Sequence, residues 1–172
     1  IMKNGESILI ETPYIICNNG MYETLAGFCE GGRRVQIMTN AIESGANPFG
    51  CTDYLNEKKN ILATGSEVFE VSCGQSLHTK TILVDDHISM IGSYNLDLRS
   101  TYLDTELMLV IDCPELNQCL RENASVKAEQ SRHVLPDGTE NEGPDFQGEM
   151  PFYKKAGYFL LRLLTGLFRY LL

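Results

Sequence analysis

The amino-acid sequence predicts an α/β fold in which helices flank a mixed β-sheet. In the first part of the chain, short apolar strand-like segments alternate with helical segments that end at glycine. Consecutive strand-like segments then follow before the next helix. Helical crossovers combined with consecutive strands indicate an α/β sandwich built on a mixed sheet. The 172 residues suffice for one domain with its own core.

The first four elements are bounded by breaking and capping residues. Pro13 ends the first strand, the Gly31-Gly32 pair ends the first helix, and Gly65 ends the second helix. Thr52 has the side chain of an N-cap for that second helix. The expected elements are a strand over 7–12, a helix over 21–30, a strand over 35–39 and a helix over 52–63.

Strands dominate the middle of the chain, and a long helix follows them. The tight turn over 85–87 joins two strands, and His87 within it is expected to be solvated. His133 is expected to close the helix and to interact with its C-terminal dipole. The expected elements are strands over 67–71, 78–84, 88–91 and 106–111, and a helix over 114–133.

Composition divides the chain into three parts. Residues 1–134 hold all the predicted strands and helices of the α/β domain. Residues 135–151 hold five acidic residues, prolines and glycines, with almost nothing to bury, and are predicted to be a mobile acidic linker. Residues 152–172 are predicted to form a basic amphipathic helix.

The terminal helix has two faces when its residues are placed about 100° apart. The basic and polar arc consists of Lys154, Lys155, Tyr158, Arg162, Thr165 and Arg169. The apolar arc consists of Phe152, Ala156, Phe159, Leu160, Leu163, Leu164, Leu167 and Leu171. This pattern predicts an interfacial helix on an anionic membrane, and its internal arginines argue against a membrane span. The alternative is a last helix that packs on the domain core.

The charge of the chain argues against a general nucleic-acid binder. Residues 152–172 contribute four basic residues and no acid, so residues 1–151 carry 10 basic residues against 23 acidic ones. A nucleic-acid binder ordinarily needs a basic face, whereas this body is strongly acidic. The six cysteines form no CxxC pair and are expected to be free thiols in a reducing cytosol. Cys73 is expected to be structural, because nothing nearby would activate its thiol.

Four polar side chains are predicted to converge on one patch. His78 and Lys80 are two residues apart on a strand and therefore point to the same face, and Ser93 and Asn95 do so after the next strand. The hairpin between the two strands brings the two pairs side by side.

This set of groups suits a phosphate diester. Lys80 supplies positive charge for the non-bridging oxygens, and Asn95 supplies neutral donors. His78 can attack phosphorus or protonate a leaving alkoxide near neutral pH. No cofactor is expected and no metal is required, because the side chains can neutralise the phosphoryl oxygens.

The spacing HxKx4Dx6GSxN, formed by His78, Lys80, Asp85, Gly92, Ser93 and Asn95, resembles the signature of the phospholipase D superfamily. The resemblance implies that His78 is a nucleophile that forms a phosphohistidine, or is the general acid that faces one. It implies that Lys80 and Asn95 bind the phosphate and that Ser93 supports the pocket. Asp85 belongs to the same catalytic motif and would hold the hairpin. Glu106 stands where the family places a carboxylate that orients the histidine.

Further runs over residues 5–130 resemble the bacterial cardiolipin synthase branch. These runs are 96–100, 103–106, 12–14 and 38–40, with Asp104 where that branch often has asparagine. Within them, Asp97 and Arg99 could form a local ion pair or contact a headgroup, and Tyr14 could line the substrate cleft or serve packing. The resemblance implies a phosphatidyltransferase that acts on phosphatidylglycerol-type lipids, peripheral to the cytoplasmic face of a bacterial membrane.

Active sites of the superfamily combine two such motifs, and this chain has one. Either a second copy pairs with it, or the other half belongs to the same longer chain; the start at Ile1-Met2-Lys3 favours the latter, with this segment as the C-terminal catalytic half. If the other half holds the nucleophile, His78 is the general acid and base. The alternatives are a homodimeric single-motif phosphodiesterase or nuclease, and an inactive membrane-binding fragment.

Overall fold

A computed structural model describes residues 1–169. Its strands are β1 (Ser7–Glu11), β2 (Arg34–Asn40), β3 (Glu67–Val71), β4 (Thr81–Val84), β5 (Ile88–Gly92), β6 (Met108–Asp112), β7 (Ser131–Val134) and β8 (Glu140–Glu142). Its helices are α1 (Asn19–Glu30), α2 (Pro48–Ala63), α3 (Leu98–Tyr102), α4 (Pro114–Glu129) and α5 (Phe152–Phe168), with a short 3-10 turn at Met2–Asn4.

The strands form one mixed sheet in the order β6-β5-β4-β1-β2-β3-β7-β8. The strands β1, β2 and β3 run parallel because α1 and α2 cross between them, and every other pairing is antiparallel. At one edge of the sheet, which we call the carboxyl edge, β1, β2, β3 and β5 end and β4 begins. The predicted α/β fold with a mixed sheet flanked by helices is thereby confirmed.

Helices cover both faces of the sheet. On one face, α1 and α2 pack on alternate residues of the central strands, including Ile8, Ile10, Val35, Ile37 and Val68. On the other face, α4 packs on Leu9, Met38, Val71 and Leu83 through Leu120 and Ala124. The alternation of inward residues along each strand is the period-2 pattern that the sequence shows.

Polar caps set where the helices begin. The side chain of Asn18 accepts from the backbone N–H of Met21 at 3.0 Å, and Asn47 accepts from Phe49 and Gly50. The helix α2 therefore begins at Pro48, four residues before the predicted start, and Thr52 lies inside it rather than at its cap.

The helix predicted to reach His133 ends at Glu129, and β7 takes the remaining residues. Ser131 to Val134 pair with β3, so that the ring of His133 stacks on Phe69 with centroids 4.1 Å apart. Its Nε2 lies 3.0 Å from the Glu67 carboxylate. The prediction that His133 interacts with a helix dipole is wrong, because strand pairing and ring stacking stabilise this segment instead.

The acidic segment over 135–151 contains regular structure. Its residues Glu140–Glu142 form β8 against β7, and Glu140 pairs with Lys58 at 2.7 Å. The backbone N–H of Gln147 donates to the Ser72 carbonyl at 3.1 Å. The segment was predicted to be a linker with little to hold it, and these contacts fix parts of it to the body. The three-part division of the chain itself stays a prediction.

The amphipathic terminal helix is present as α5, and Leu171 of the predicted apolar arc lies outside the described residues. Within residues 1–169, none of the helices combines the length and the apolar character needed to cross a bilayer. The helix packs on α2.

Asp85 occupies the turn between β4 and β5 with a φ of 51°. Its Oδ1 accepts from the backbone N–H groups of Glu6 and Ser7 at 2.8 and 2.9 Å, which fixes the start of β1. We expect Asp85→Ala to lower the free energy of unfolding by about 1–3 kcal/mol, because both donors lose their partner. Urea unfolding measures it, with Asp86→Ala as the matched control because that side chain is 97% exposed. Equal losses for the two variants would contradict this role.

Candidate functional site

The hairpin of β4 and β5 brings the four predicted phosphate-site residues to the carboxyl edge. His78 and Lys80 come just before β4, and Ser93 and Asn95 come just after β5. The pairing of Thr81 with Ile91 sets these ends side by side, and the backbone N–H of Gly92 donates to the Lys80 carbonyl at 3.3 Å. Asp85 lies at the other end of the hairpin and therefore contacts the start of β1, not this edge.

A buried asparagine at the end of β2 holds the residue before His78. Asn40 Oδ1 accepts from the Leu77 backbone N–H at 2.6 Å, and Asn40 Nδ2 donates to the Leu77 carbonyl at 2.8 Å. Nδ2 also donates to the Pro13 carbonyl at 3.0 Å. The His78 side chain itself is exposed, so its position depends on this backbone anchor. Sequence reasoning noted the run 38–40 only as a resemblance and gave Asn40 no role.

Lys80 lies partly buried among carboxylates. Desolvation lowers the pKa of Lys80, and the nearby Glu106 and Asp97 act in the opposite direction. Its Nζ donates to the His78 carbonyl at 3.1 Å. The ammonium group thus lies beside the His78 backbone and near the carboxylates of Glu106 and Asp97.

Glu106 contacts Ser93 rather than His78. The Ser93 hydroxyl donates to the Glu106 carboxylate and accepts from the Leu107 N–H at 3.1 Å. Among the described residues, no hydrogen bond joins Glu106 to His78, so the predicted orienting contact is not present. The reason is local: β5 and β6 approach so closely that a Cβ at Gly92 would overlap the Leu107 carbonyl, which places Glu106 beside Ser93.

Asn95 borders a cavity of about 260 Å³ at the carboxyl edge. Its Oδ1 is buried and has no hydrogen-bond partner among residues 1–169. Tyr14 lines the cavity, as one of its two predicted roles requires. The other polar residues that line it are Asn47, Asp97, Arg99 and Asp104.

Of the two alternatives for Asp97 and Arg99, the local ion pair is absent among residues 1–169, and the headgroup contact stays a prediction. Asp97 caps α3 by accepting from the Ser100 N–H at 2.6 Å, whereas Arg99 pairs with Asp104 at 3.0 Å. Asp104 therefore fixes the guanidinium of Arg99 at the rim of the cavity. Aspartate is a common N-cap residue, but the sequence predicted no helix between residues 91 and 106 for Asp97 to cap.

The remaining candidates lie away from this site. His87 stands in the β4–β5 turn with its ring 3.0 Å from Asp86, as a solvated turn residue does. All six cysteines are free thiols, as predicted. Burial raises the pKa of Cys17 to about 12, which keeps its thiol protonated and unreactive.

We expect Asn40→Ala to lower kcat by about 10²-fold with little change in KM, because the backbone that carries His78 loses its anchor. Steady-state kinetics on any diester substrate that the protein turns over measures it, with Asn60→Ala on the exposed side of α2 as the control. Asn40→Asp keeps the acceptor for Leu77 and should lie between the parent and Asn40→Ala. An unchanged kcat in a folded Asn40→Ala protein would show that Asn40 does not position His78.

Comparison with known proteins identifies the family to which this domain is similar. Residues 1–125 match the family model described as cardiolipin synthase, PLD-like domain. The chain is 33% identical over 113 residues to cardiolipin synthase A of Buchnera aphidicola, covering 65% of this chain and 22% of that one. It is 27% identical over 148 residues to an uncharacterised Helicobacter pylori protein, covering 78% of this chain and 30% of that one. The chain thus spans less than a third of these relatives.

Solved structures share the fold. The phospholipase D family member Nuc from Salmonella typhimurium superposes with a TM-score of 0.64 at 20% identity, covering 78% of this chain and 86% of that chain. The phosphatidylserine synthase of Haemophilus influenzae superposes with a TM-score of 0.65 at 18% identity, covering 97% of this chain and 42% of that chain. At these identities the likeness concerns the fold.

Proposed function

This chain belongs to the cardiolipin synthase-type family of phospholipase D-like domains, and from that premise we propose that it transfers a phosphatidyl group between alcohols. Members of this superfamily act on phosphodiesters. The observation that carries the proposal is the placement of His78, Lys80, Ser93 and Asn95 at one edge of the sheet. An exposed imidazole, an ammonium and a carboxamide there can bind and cleave a phosphate diester.

The first step releases the headgroup of a phosphatidylglycerol-type donor. A histidine nitrogen attacks phosphorus, the bond between phosphorus and the headgroup oxygen breaks, and a second histidine gives its proton to that oxygen. Glycerol leaves and a phosphatidyl-histidine remains. Lys80 and Asn95 stabilise the phosphoryl oxygens while the negative charge on them rises.

The second step passes the phosphatidyl group to an acceptor. The acceptor hydroxyl gives its proton to the second histidine, its oxygen attacks phosphorus, and the phosphorus–nitrogen bond breaks. A second phosphatidylglycerol as acceptor yields cardiolipin, and water yields phosphatidic acid. His78 supplies one of the two histidines; if the other half supplies the nucleophile, His78 is the acid and base.

A second half-domain is required to supply the other histidine, either from the same longer chain or from a second copy. Exposed apolar side chains adjoining Ser93 and Glu106 support a docking surface for it: Tyr102, Leu103, Leu107 and Leu109.

A lipid substrate is supported by an apolar cavity of about 320 Å³ beside the motif. It lies between α1 and β4, with Leu25 and Phe28 on one side and Ile82, Tyr94 and Leu96 on the other. Two of these residues flank Asn95 in the chain. An apolar cavity next to a phosphate site can hold the acyl chain of a phospholipid, whereas a nucleic-acid backbone would find no positive charge among the described residues that line it.

The donor lipid places the site of action at a bilayer. We propose that the protein associates peripherally with the cytoplasmic face of a bacterial membrane, because the proposed donor is a membrane phospholipid. The charge of the body, with 23 acidic residues in the chain, favours contact through a localised part of the surface rather than through the whole domain.

A homodimeric phosphodiesterase is the second candidate. The observation in its favour is that the chain covers 86% of the single-domain-sized Nuc chain with a shared fold. It predicts a two-fold dimer with His78 of each copy facing the other across the interface. The net charge of −9 opposes binding of polyanionic nucleic acid.

A product assay separates these candidates. The protein is offered phosphatidylglycerol vesicles and single-stranded DNA in parallel, and its oligomeric state is measured by sedimentation. Cardiolipin and glycerol in equal amounts support phosphatidyl transfer, and phosphatidic acid with glycerol indicates that water is the acceptor. Nucleotides released from DNA by a dimer, with no lipid product, would overturn the proposal in favour of the second candidate.

A further inference from the structure

The terminal helix α5 packs on the body through its basic and polar arc. The hydroxyls of Thr165 and Thr52 are hydrogen-bonded at 2.9 Å, and both residues are completely buried. Arg162 Nε donates to the Asn56 side chain at 2.8 Å, and Arg169 pairs with Asp53 at 2.7 Å. Two basic residues of the arc, Arg162 and Arg169, thus contact an amide and a carboxylate of α2.

Both ends of the arc are held in the same way. At the beginning of α5, Lys154 Nζ donates to the Glu43 carbonyl at 2.8 Å, and Tyr158 is buried against the body. At its end, Arg169 also donates to the Cys17 carbonyl and lies 3.5 Å from Glu57. The sequence left two alternatives for this helix, contact with an anionic membrane and packing on the body. In the structure, Lys154, Arg162 and Arg169 contact the body.

The opposite face of α5 presents its apolar arc to solvent. Phe152, Leu163 and Leu167 are 85%, 71% and 68% exposed. We call the exposed large side chains on this side of α5, those of the arc together with Tyr153, the apolar stripe. It consists of Phe152, Tyr153, Phe159, Leu160, Leu163, Leu164 and Leu167. Seventeen helical residues extend over about 25 Å, and an apolar surface of this length is rare on a protein that works alone in water.

The apolar stripe lies at the same edge of the molecule as the phosphate site. The helix α5 meets the first half of α2 at Cys51, Thr52 and Asp53 and also contacts Asn56 and Glu57. The cap of that first half, Asn47, lines the cavity of Asn95.

We propose that the apolar stripe enters the hydrocarbon boundary of a phospholipid surface while the basic arc clamps the helix to the body. This rests on the proposed function in one respect, that a lipid substrate brings such a surface to this edge. A single helix lying flat with a continuous apolar side is the geometry of interfacial helices. No acidic residue occurs between Phe152 and Arg169, so nothing on the helix repels an anionic surface.

The two arrangements of the helix differ in what drives binding. Insertion of the apolar stripe depends on buried apolar area and therefore persists on neutral lipid and at high salt. Contact through the basic arc would depend on anionic lipid and would weaken as salt rises. Lys155 is exposed and makes none of the contacts described above between α5 and the body. Its replacement therefore measures the electrostatic contribution to membrane binding.

The test is flotation with vesicles of phosphatidylcholine alone and of phosphatidylcholine with phosphatidylglycerol, at low salt and at about 0.5 M salt. The parent should bind both vesicles at both salt concentrations. The double variant Leu163→Glu with Leu167→Glu should bind at least about 100-fold more weakly, and Lys155→Ala should bind like the parent. Both leucines are exposed, so neither replacement disturbs packing, and circular dichroism checks the fold.

Two outcomes would overturn the proposal. One is binding that needs phosphatidylglycerol, is lost at high salt and falls in Lys155→Ala. The other is a parent that sediments as a dimer and ignores vesicles while the double variant is a monomer, which would assign the stripe to a second copy. Turnover of dissolved short-chain phosphatidylglycerol by the parent tests the proposed function without vesicles. A failure of membrane binding can therefore be distinguished from a failure of the proposed activity.

Discussion

Replacing His78 by alanine is expected to lower the rate of cardiolipin or phosphatidic acid formation by about 10²–10⁴-fold or more. The imidazole is the group of the site that can attack phosphorus or transfer a proton near neutral pH, and alanine can do neither. Its side chain is exposed at the carboxyl edge, so the substitution removes no core contact. The measurement is product formation on phosphatidylglycerol vesicles.

The matched control is His87→Ala. His87 is a partly exposed histidine in the turn of the β4–β5 hairpin. It lies beside Asp86, at the end of the hairpin opposite to His78. It should retain the activity of the parent. A His78→Ala protein that turns over lipid as fast as His87→Ala would exclude His78 from the reaction.

Replacing Lys80 by methionine is expected to lower kcat by about 10²–10³-fold, because the phosphoryl oxygens lose the cation that stabilises their rising charge. Methionine retains most of the length of the side chain and removes the charge. Lys59→Met, on the exposed side of α2, is the control for loss of one positive charge. Equal kinetics for Lys80→Met and Lys59→Met would contradict a phosphate-binding role.

The pH dependence gives the same residue a second signature. Burial lowers the pKa of Lys80, although Glu106 and Asp97 act against the decrease. The cation is the active form, so activity should be present below this pKa and be lost as pH rises through it, at a lower pH than for an exposed lysine. In Lys80→Arg the residual activity should extend further into the alkaline range, because guanidinium keeps its charge. An alkaline limb that does not move would assign the titration to another group.

The sequence predicted the sheet and the position of the motif because both depend on local patterns. The strands β1, β2 and β3 show apolar runs bounded by Pro13 and glycines, and two such runs around a tight turn predict the β4–β5 hairpin. Once the hairpin is fixed, His78 and Lys80 just before it and Ser93 and Asn95 just after it come to one edge of the sheet. The strand predicted from His78 begins only at Thr81, so His78 and Lys80 lie in the segment that leads into β4.

The features that the sequence did not predict depend on contacts between distant segments. Asn40 is 37 positions from Leu77, and neither residue alone signals the clamp between them. His133 belongs to a strand because Phe69 stacks on it, although the residues before it favour a helix. The helix predicted from the sequence pattern was therefore too long, and the contact that holds the backbone before His78 was not predicted.

The orientation of α5 illustrates the same limit. The periodicity of the segment predicted both arcs of the helix, and it left open which arc would meet the body. The answer depended on where Asp53, Glu57 and Asn56 lie on α2, because their side chains pair with the basic arc. Amphipathic patterns define faces, and the partner decides which face is buried.

The most direct test of the central claim, transfer in two steps through a histidine, is the stereochemical course at phosphorus. A phosphatidylglycerol analogue with a phosphorothioate of known configuration is converted with a simple alcohol as acceptor, and the configuration of the product is determined. Each in-line displacement inverts phosphorus, so the two steps of a covalent mechanism predict net retention. Net inversion would contradict the account, because it would mean that the acceptor displaces the headgroup directly and that no phosphatidyl-histidine forms.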